Sequence, residues 1–160
     1  MSVEAPYRTR MTDFDFLVGT WDVANRWRVD FLDPESGWEE FPAVSRATRH
    51  FDGGASFDEI EFPTKDFSGM TVRLRDPETG TWSLYWASSR RGTIFPPVTG
   101  KFDDGIGEFY GDDTMNDVPI LARFRWSGIT ADSAHWEQAF STDGGKTWLD
   151  NWYMDLTRRS

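Results

Sequence analysis

The chain has 160 residues, which is enough for one domain with a hydrophobic core, and its formal net charge at pH 7 is -10. A surface this acidic argues against binding to nucleic-acid backbones and to anionic membranes. The chain has no cysteine and two histidines, which excludes disulfides, thiolate metal sites and a three-histidine metal site within one chain.

The distribution of apolar residues indicates where the domain lies and shows no targeting segment. Residues 1–13 contain neither the apolar core nor the cleavage site of a signal peptide, and no apolar run reaches about 18 residues. We therefore expect a cytoplasmic protein with an N-terminal tail over 1–13 and one domain over 14–159. With nine Trp and thirteen Phe, this domain is too aromatic to be disordered.

Polar and apolar residues alternate along most of the chain, which is the pattern of half-buried β-strands. One capped turn is predicted over 12–17. The first strand is predicted over 19–31, with Trp21, Val23 and Trp27 on its apolar face. Nine further strands are predicted over 38–51, 56–62, 69–75, 81–88, 98–102, 105–110, 118–127, 134–141 and 147–156.

Turn residues separate these strands. The segment 76–80 has Pro early and Gly late, and the segments 103–105 and 143–145 combine Asp with Gly, which accepts positive φ. Ten antiparallel strands with short connections would leave adhesive edges in an open sheet. We therefore predict an all-β fold, a ten-stranded antiparallel up-and-down barrel, with a two-sheet sandwich as the alternative.

The two ends of the predicted sheet carry a recognisable pair. Gly19-Thr20-Trp21 opens the first strand, and Arg158 follows the last one. This pairing resembles the calycin superfamily of lipocalins and fatty-acid-binding proteins. The resemblance implies a lipocalin-like barrel in which Trp21 plugs the closed end and Arg158 packs across it, because a guanidinium over an indole gains cation–π energy.

A wider set of motifs resembles a family of small bacterial proteins of the DUF1579 type, which are domains of unknown function. The resemblance spans 14–159 and implies the lipocalin-like fold without naming a substrate. The motifs are 14–21, Asp58-Glu59, Trp136-Glu137-Gln138, 141–148 and Asn151-Trp152.

One of these motifs has a second resemblance. The spacing Ser141-x-Asp143-x-Gly145-x-Thr147-Trp148 is similar to the Asp-box of sialidase propellers, a hairpin turn outside the catalytic site. Asp and Ser side chains that hydrogen-bond the loop backbone stabilise such turns. One copy is too few for a propeller, so we expect a structural turn.

Charged residues repeat at i, i+2 on four predicted strands, so each pair shares one face. The pairs are Glu59 with Glu61, Arg73 with Arg75, Arg123 with Arg125, and His135 with Glu137. Two interpretations stay open: an outer lattice of weak ion pairs, or a polar lumen in which Arg residues meet a carboxylate. In the second, Glu59 or Glu137 is the candidate catalytic base and Arg73 or Arg123 the candidate oxyanion partner.

Some polar residues lie in phase with the apolar face, namely Asn25, Gln138 and Asp150. Each needs a neighbouring side chain, a water or a ligand as its hydrogen-bond partner. Asn25 and Gln138 join five tryptophans in the predicted ligand-binding set. These wall residues are Trp27, Trp86, Trp126, Trp136 and Trp152.

The leading functional hypothesis is non-covalent binding of a small apolar or aromatic organic ligand inside the barrel. One alternative is a cofactor-free lyase, isomerase or cyclase that uses a Glu/Arg pair in the lumen. Another is a filled barrel that serves as a structural or interaction module. The sequence leaves open whether the chain forms a homodimer.

No cofactor and no metal dependence are expected. His50 and His135 are predicted to be surface histidines, and no histidine lies in 147–159, the region from which some ten-stranded barrels hold haem. The acidic pairs Asp103-Asp104 and Asp112-Asp113 are predicted to be solvated turns, although carboxylates of this kind suit Mg²⁺ or Ca²⁺.

Overall fold

The structure is a computed structural model that describes residues 13–159. The alternating polar and apolar residues form ten antiparallel strands. Short 3-10 helices cover Asp15–Leu17 and Phe51–Gly53. The predicted tail lies outside the described residues except for Asp13, as does Thr12 of the predicted turn. The strands are β1 (Gly19–Arg28), β2 (Trp38–His50), β3 (Ala55–Phe62), β4 (Phe67–Arg75), β5 (Trp82–Ser88), β6 (Val98–Asp103), β7 (Ile106–Met115), β8 (Val118–Ser127), β9 (Ser133–Ser141) and β10 (Leu149–Arg158).

The sheet closes on itself. Each strand pairs with its neighbours in the chain, and β1 also pairs with β10, from Trp21 opposite Arg158 to Trp27 opposite Trp152. Closure removes the sheet edges that a meander would expose. The predicted ten-stranded up-and-down barrel is therefore confirmed, and the sandwich alternative is wrong. Within the described residues, the helices are too short to cross a membrane.

The pairing between β5 and β6 is short, because it joins only 82–84 to 98–100. Beyond this point the segment 89–97 runs beside β5 instead of a strand. There the amide of Phe95 donates to the carbonyl of Trp86 at 2.8 Å. Part of the barrel wall is therefore formed by a loop.

Trp21 fills the closed end of the barrel and is fully buried. The guanidinium carbon of Arg158 lies 4.3 Å from the centre of the Trp21 ring. The Nη1 and Nη2 atoms of Arg158 donate to the carbonyls of Val18 and Phe16 at 2.6 and 2.7 Å. The Trp21 indole donates to the carbonyl of Leu17 at 2.9 Å. The closure that the calycin resemblance implies is thus present.

Ser141 and Asp143 hold the turn before β10. The Ser141 hydroxyl accepts from the amide of Gly145 at 2.9 Å and donates to Asp143 at 2.7 Å. The Asp143 carboxylate accepts from the hydroxyl and the amide of Thr147 at 2.6 and 2.9 Å. These bonds, led by the one from the Thr147 hydroxyl, lower the pKa of Asp143 to about 2. The predicted structural turn is confirmed.

Two strand ends differ from the prediction by three residues or more. β1 stops at Arg28, so Phe31 belongs to the following loop. β7 continues to Met115, so the Asp112-Asp113 pair lies within a strand and not in a solvated turn. The turn that ends this hairpin is Asn116-Asp117, with φ of 50° and 66°, which is the conformation that two-residue hairpins require.

β4 turns its charged face inward, so the polar-lumen interpretation holds for this strand. Arg73 is 4% exposed, while Leu74 is 39% exposed. The inward positions of β4 include Gly69 and Thr71, and Arg73 finds a carboxylate partner on β3. A strand whose inward face is polar cannot be oriented from its apolar residues alone.

A β-bulge changes the phase of β10. The register shifts between Asp150 and Trp152, and Asn151 between them is fully buried. Asp150, predicted to face the lumen, instead accepts hydrogen bonds from Tyr153 at 3.0 Å and from Arg123 at 3.3 Å on the outer face.

Candidate functional site

The barrel lumen contains two chambers that share part of their lining. The volume open to the centre of a water molecule is about 70 Å³ in the inner chamber and about 380 Å³ in the outer chamber. One water needs about 10–15 Å³ on this measure, so the side chains do not fill the lumen. The residues that line both chambers are Leu84, Trp86, Phe124, Gln138 and Trp152.

Four tryptophans line the inner chamber, namely Trp86, Trp126, Trp136 and Trp152. Trp152 makes edge-to-face contacts with Trp136, at 5.4 Å between ring centroids, and with Trp86, at 6.4 Å. This is a favourable geometry for aromatic rings, and it fixes their orientation. The inner chamber therefore offers flat apolar surfaces to an aromatic molecule.

Asn25 orients one of these indoles and lines neither chamber. Its Oδ1 accepts from the Trp152 indole at 3.0 Å, and the side chain is 3% exposed. Its Nδ2 has no hydrogen-bond partner among residues 13–159. The other predicted ligand-binding residues, Trp27 included, do line the chambers.

Gln138 links the lumen to the loop after β1. Its Nε2 donates to Asn151 Oδ1 at 2.9 Å, and Asn151 Nδ2 donates to the carbonyl of Phe31 at 3.3 Å. Asn151 was not among the predicted site residues, because the β-bulge turns it inward and nothing in the alternation marks that bulge.

β3 and β4 contribute a buried ion pair to the inner chamber. Arg73 Nη2 donates to Asp58 Oδ2 at 2.5 Å, and Arg73 Nη1 donates to Ser56 Oγ at 3.2 Å. The two charged side chains are 4% and 9% exposed. The Nε of Arg73 is buried without a partner in the described part of the chain. Asp58 was not predicted as a lumen residue, although it is in phase with Ile60 on the apolar face.

The outer chamber combines aromatic and charged side chains. Trp27 and Phe67 stack at 6.4 Å between ring centroids, and the Arg90 guanidinium lies 4.4 Å from the centre of the Phe67 ring. Asp112 and Asp113 also line this chamber. As neighbours on β7 they point to opposite faces, so Asp113, in phase with the buried Phe109, is the carboxylate on the lumen side.

The structure does not bring the four candidate catalytic residues together. Arg73 faces the inner chamber, whereas Glu59 is exposed on the outside of β3. Arg123 and Glu137 lie on the outer face of β8 and β9, with 3.9 Å between Nη2 and Oε2. Among residues 13–159, the charged pair in the lumen is Asp58 with Arg73, not a Glu/Arg pair.

The remaining charges of β8 to β10 form the outer lattice that one interpretation predicts. His135 Nδ1 is 2.8 Å from Asp155, and His135 Nε2 is 3.1 Å from Glu137. Burial, with a hydrogen bond to Asp150, raises the pKa of the nearby Tyr153 to about 12. The outer-lattice interpretation is thus correct for these strands and wrong for Arg73.

Metal ligands are not clustered in the described residues, which contain no group of three or more His, Asp or Glu placed to hold an ion. His50 contacts the hydroxyl of Thr48, with 2.7 Å between Nε2 and Oγ1.

The closed ten-stranded sheet, the plugged end and the lumen chambers define a calycin-like β-barrel. Among solved structures, the chain is similar to the S-type phycobiliprotein lyase CPES from Guillardia theta, with a TM-score of 0.57 and 16% sequence identity. This similarity covers 100% of this chain and 94% of that chain. No protein-family model matches the chain, and no curated protein matches it. The structural similarity establishes the fold, and the DUF1579-type resemblance stays a prediction.

Proposed function

We propose that the protein binds a small, largely apolar or aromatic organic molecule non-covalently in its two chambers. The observation that carries the proposal is the wall of four tryptophans around space that side chains leave open. Buried apolar surface contributes about 25 cal/mol per Å². Edge-to-face ring contacts add about 0.5–1.5 kcal/mol each, so an aromatic guest gains from both effects.

A few polar groups interrupt this apolar lining, namely Gln138 and the Asp58–Arg73 pair. Apolar pockets with a small number of placed polar groups are typical of small-molecule sites. The similar solved structure is named a lyase of phycobiliproteins, and from it we take the fold alone. Membership of the DUF1579-type family is part of the proposal and rests on the motifs given above.

The two other hypotheses have less support. The chambers argue against a filled barrel. Three of the four candidate catalytic residues, Glu59, Arg123 and Glu137, lie on the outer face, which argues against the enzyme in the form predicted. No specific observation favours an enzyme built on Asp58 and Arg73 over simple binding.

Two measurements test the proposal. Native mass spectrometry of the natively purified protein should show added mass from a retained molecule. Titration with N-phenyl-1-naphthylamine, a neutral aromatic probe, should give saturable energy transfer from the tryptophans. If nothing is retained and no saturable signal is found, the proposal is wrong.

Matched variants locate the binding. Trp86→Ala and Trp126→Ala should weaken probe binding, because both side chains line the inner chamber. Trp148→Ala is the control, since Trp148 packs on the outer face against Tyr110 and Arg123. Equal loss in all three variants would argue against binding in the lumen.

A further inference from the structure

The charged side chains that line the lumen carry no net positive charge. In the inner chamber, Arg73 is matched by Asp58. In the outer chamber, Arg90 is accompanied by Asp113, which is in phase with the buried Phe109, whereas its strand neighbour Asp112 points outward. Two arginines and two aspartates give a formal charge of zero, inside a chain whose net charge is -10.

A carboxylate ligand is disfavoured in this setting. It would lose its hydration and would stand near Asp58, where the low dielectric strengthens repulsion between like charges. An unpaired arginine would offset that cost. The guanidinium of Arg73 already donates to Asp58 and Ser56, so it has no uncompensated charge to offer.

The inner chamber nevertheless holds unused hydrogen-bond donors. The Nε of Arg73 is buried without a partner within 13–159. Trp126 and Trp136 are 5% and 7% exposed, and neither indole donates a hydrogen bond to a described residue. An indole N–H inside a protein usually has a partner, so these two accessible donors suit an acceptor that arrives with the ligand.

Building on the proposed binding function, we propose that the inner chamber selects uncharged aromatic molecules that carry a carbonyl-type oxygen and rejects carboxylates. Asp58 neutralises Arg73, and the donors that remain serve the ligand oxygen. The chemical class is thus an aromatic ketone, quinone or similar neutral carbonyl compound.

Three ligands of nearly equal size test this selectivity: 2-acetylnaphthalene, 2-naphthoate and 2-ethylnaphthalene. Their affinities are measured at neutral pH by quenching of tryptophan fluorescence. The ketone should bind at least about tenfold more tightly than 2-naphthoate, because the carboxylate is desolvated near Asp58. It should bind about two- to tenfold more tightly than 2-ethylnaphthalene, which lacks the acceptor.

The outcomes separate the two proposals. If 2-naphthoate binds as tightly as the ketone, the selectivity is wrong while the binding function stands. If the ketone has no advantage over 2-ethylnaphthalene, the role of the free donors is wrong. If none of the three binds saturably, the proposed function fails and the selectivity fails with it.

Asp58→Asn tests the charge directly, because it leaves Arg73 uncompensated. Affinity for 2-naphthoate should rise at least about tenfold. Glu59→Gln is the matched control, since this neighbour on β3 faces outward and should change neither affinity. A folded Asp58→Asn protein that still rejects 2-naphthoate would overturn the role of Asp58.

Removing one member of a buried ion pair destabilises a protein, so thermal unfolding of Asp58→Asn is measured first. If that variant does not fold, the double variant Asp58→Leu with Arg73→Met leaves neither a charge nor a hydrogen-bond donor at these two positions. In the double variant, the advantage of 2-acetylnaphthalene over 2-ethylnaphthalene should shrink to what the Trp126 and Trp136 indoles supply. An unchanged advantage would overturn the role of Arg73.

Discussion

The indole of Trp86 lies directly over Gly69, so that a β-carbon built on Gly69 would stand 1.9 Å from Cη2 of the ring. Gly69 is buried on β4. No residue larger than glycine fits there unless the ring moves. Because Trp86 lines both chambers, Gly69 determines where a wall residue of the lumen stands.

Gly69→Ala should therefore displace the Trp86 indole, reduce affinity for N-phenyl-1-naphthylamine and destabilise the protein by about 1–3 kcal/mol, as overpacking does. Gly37→Ala is the matched control, since a β-carbon added to Gly37 would meet no heavy atom within 4 Å. Fluorescence titration and urea unfolding measure both effects. Equal affinity and stability in the two variants would contradict the prediction.

Trp21→Ala should lower the free energy of unfolding by about 3–5 kcal/mol, because it empties the plug and removes the ring that Arg158 covers. Ligand binding should persist in the folded fraction, since Trp21 lines neither chamber. Urea unfolding and probe titration on the same sample check this. A stable Trp21→Ala protein without binding would place the plug in the ligand site.

Asp143 gives the turn before β10 a pH dependence of defined sign. Its pKa is about 2, below its ordinary value of 3.8, so the stability that it contributes is complete above about pH 4 and is lost as the pH falls toward 2. The unfolding free energy of Asp143→Asn should therefore fall less steeply than that of the wild type over this range. Ser36→Ala, in another turn, removes no titratable group and should follow the wild-type slope in the same urea-unfolding series.

Gln138→Leu should reduce discrimination between polar and apolar ligands more than it reduces affinity for apolar ones, because it removes a directional group while keeping volume. The variant also leaves Asn151 without its donor, at a stability cost of about 1–3 kcal/mol. The affinity ratio of 2-acetylnaphthalene to 2-ethylnaphthalene measures the change. A large, equal loss for both ligands would show that Gln138 acts through packing alone.

Much of the fold follows from local pattern. The strand β8 matches its predicted range, the turn at Asp143 has the predicted hydrogen bonds, and Trp21 pairs with Arg158 as the resemblance implies. These features depend on period-two alternation and on turn residues, which are visible in a single sequence. The same alternation predicted the five wall tryptophans.

The parts that were not predicted depend on contacts between strands. Arg73 faces inward because Asp58 on β3 receives it, and Asn151 is buried because the β-bulge shifts β10 by one residue. Neither fact is encoded in the alternation of the strand itself. Asn151 and the pairing of Asp58 with Arg73 therefore could not be predicted from the sequence, whereas the tryptophans and Gln138 could.

The loop that replaces a strand beside β5 has a consequence for how such a protein can evolve. Phe95 and Pro96 line the outer chamber, yet 89–97 lies outside the ladder of strands that closes the sheet. Substitution of side chains in this loop can thus alter the lining of the outer chamber without altering the register of the ten strands, because the bond from Phe95 to Trp86 uses backbone atoms alone. Under the proposed binding function, randomising these side chains should change specificity and leave the barrel folded.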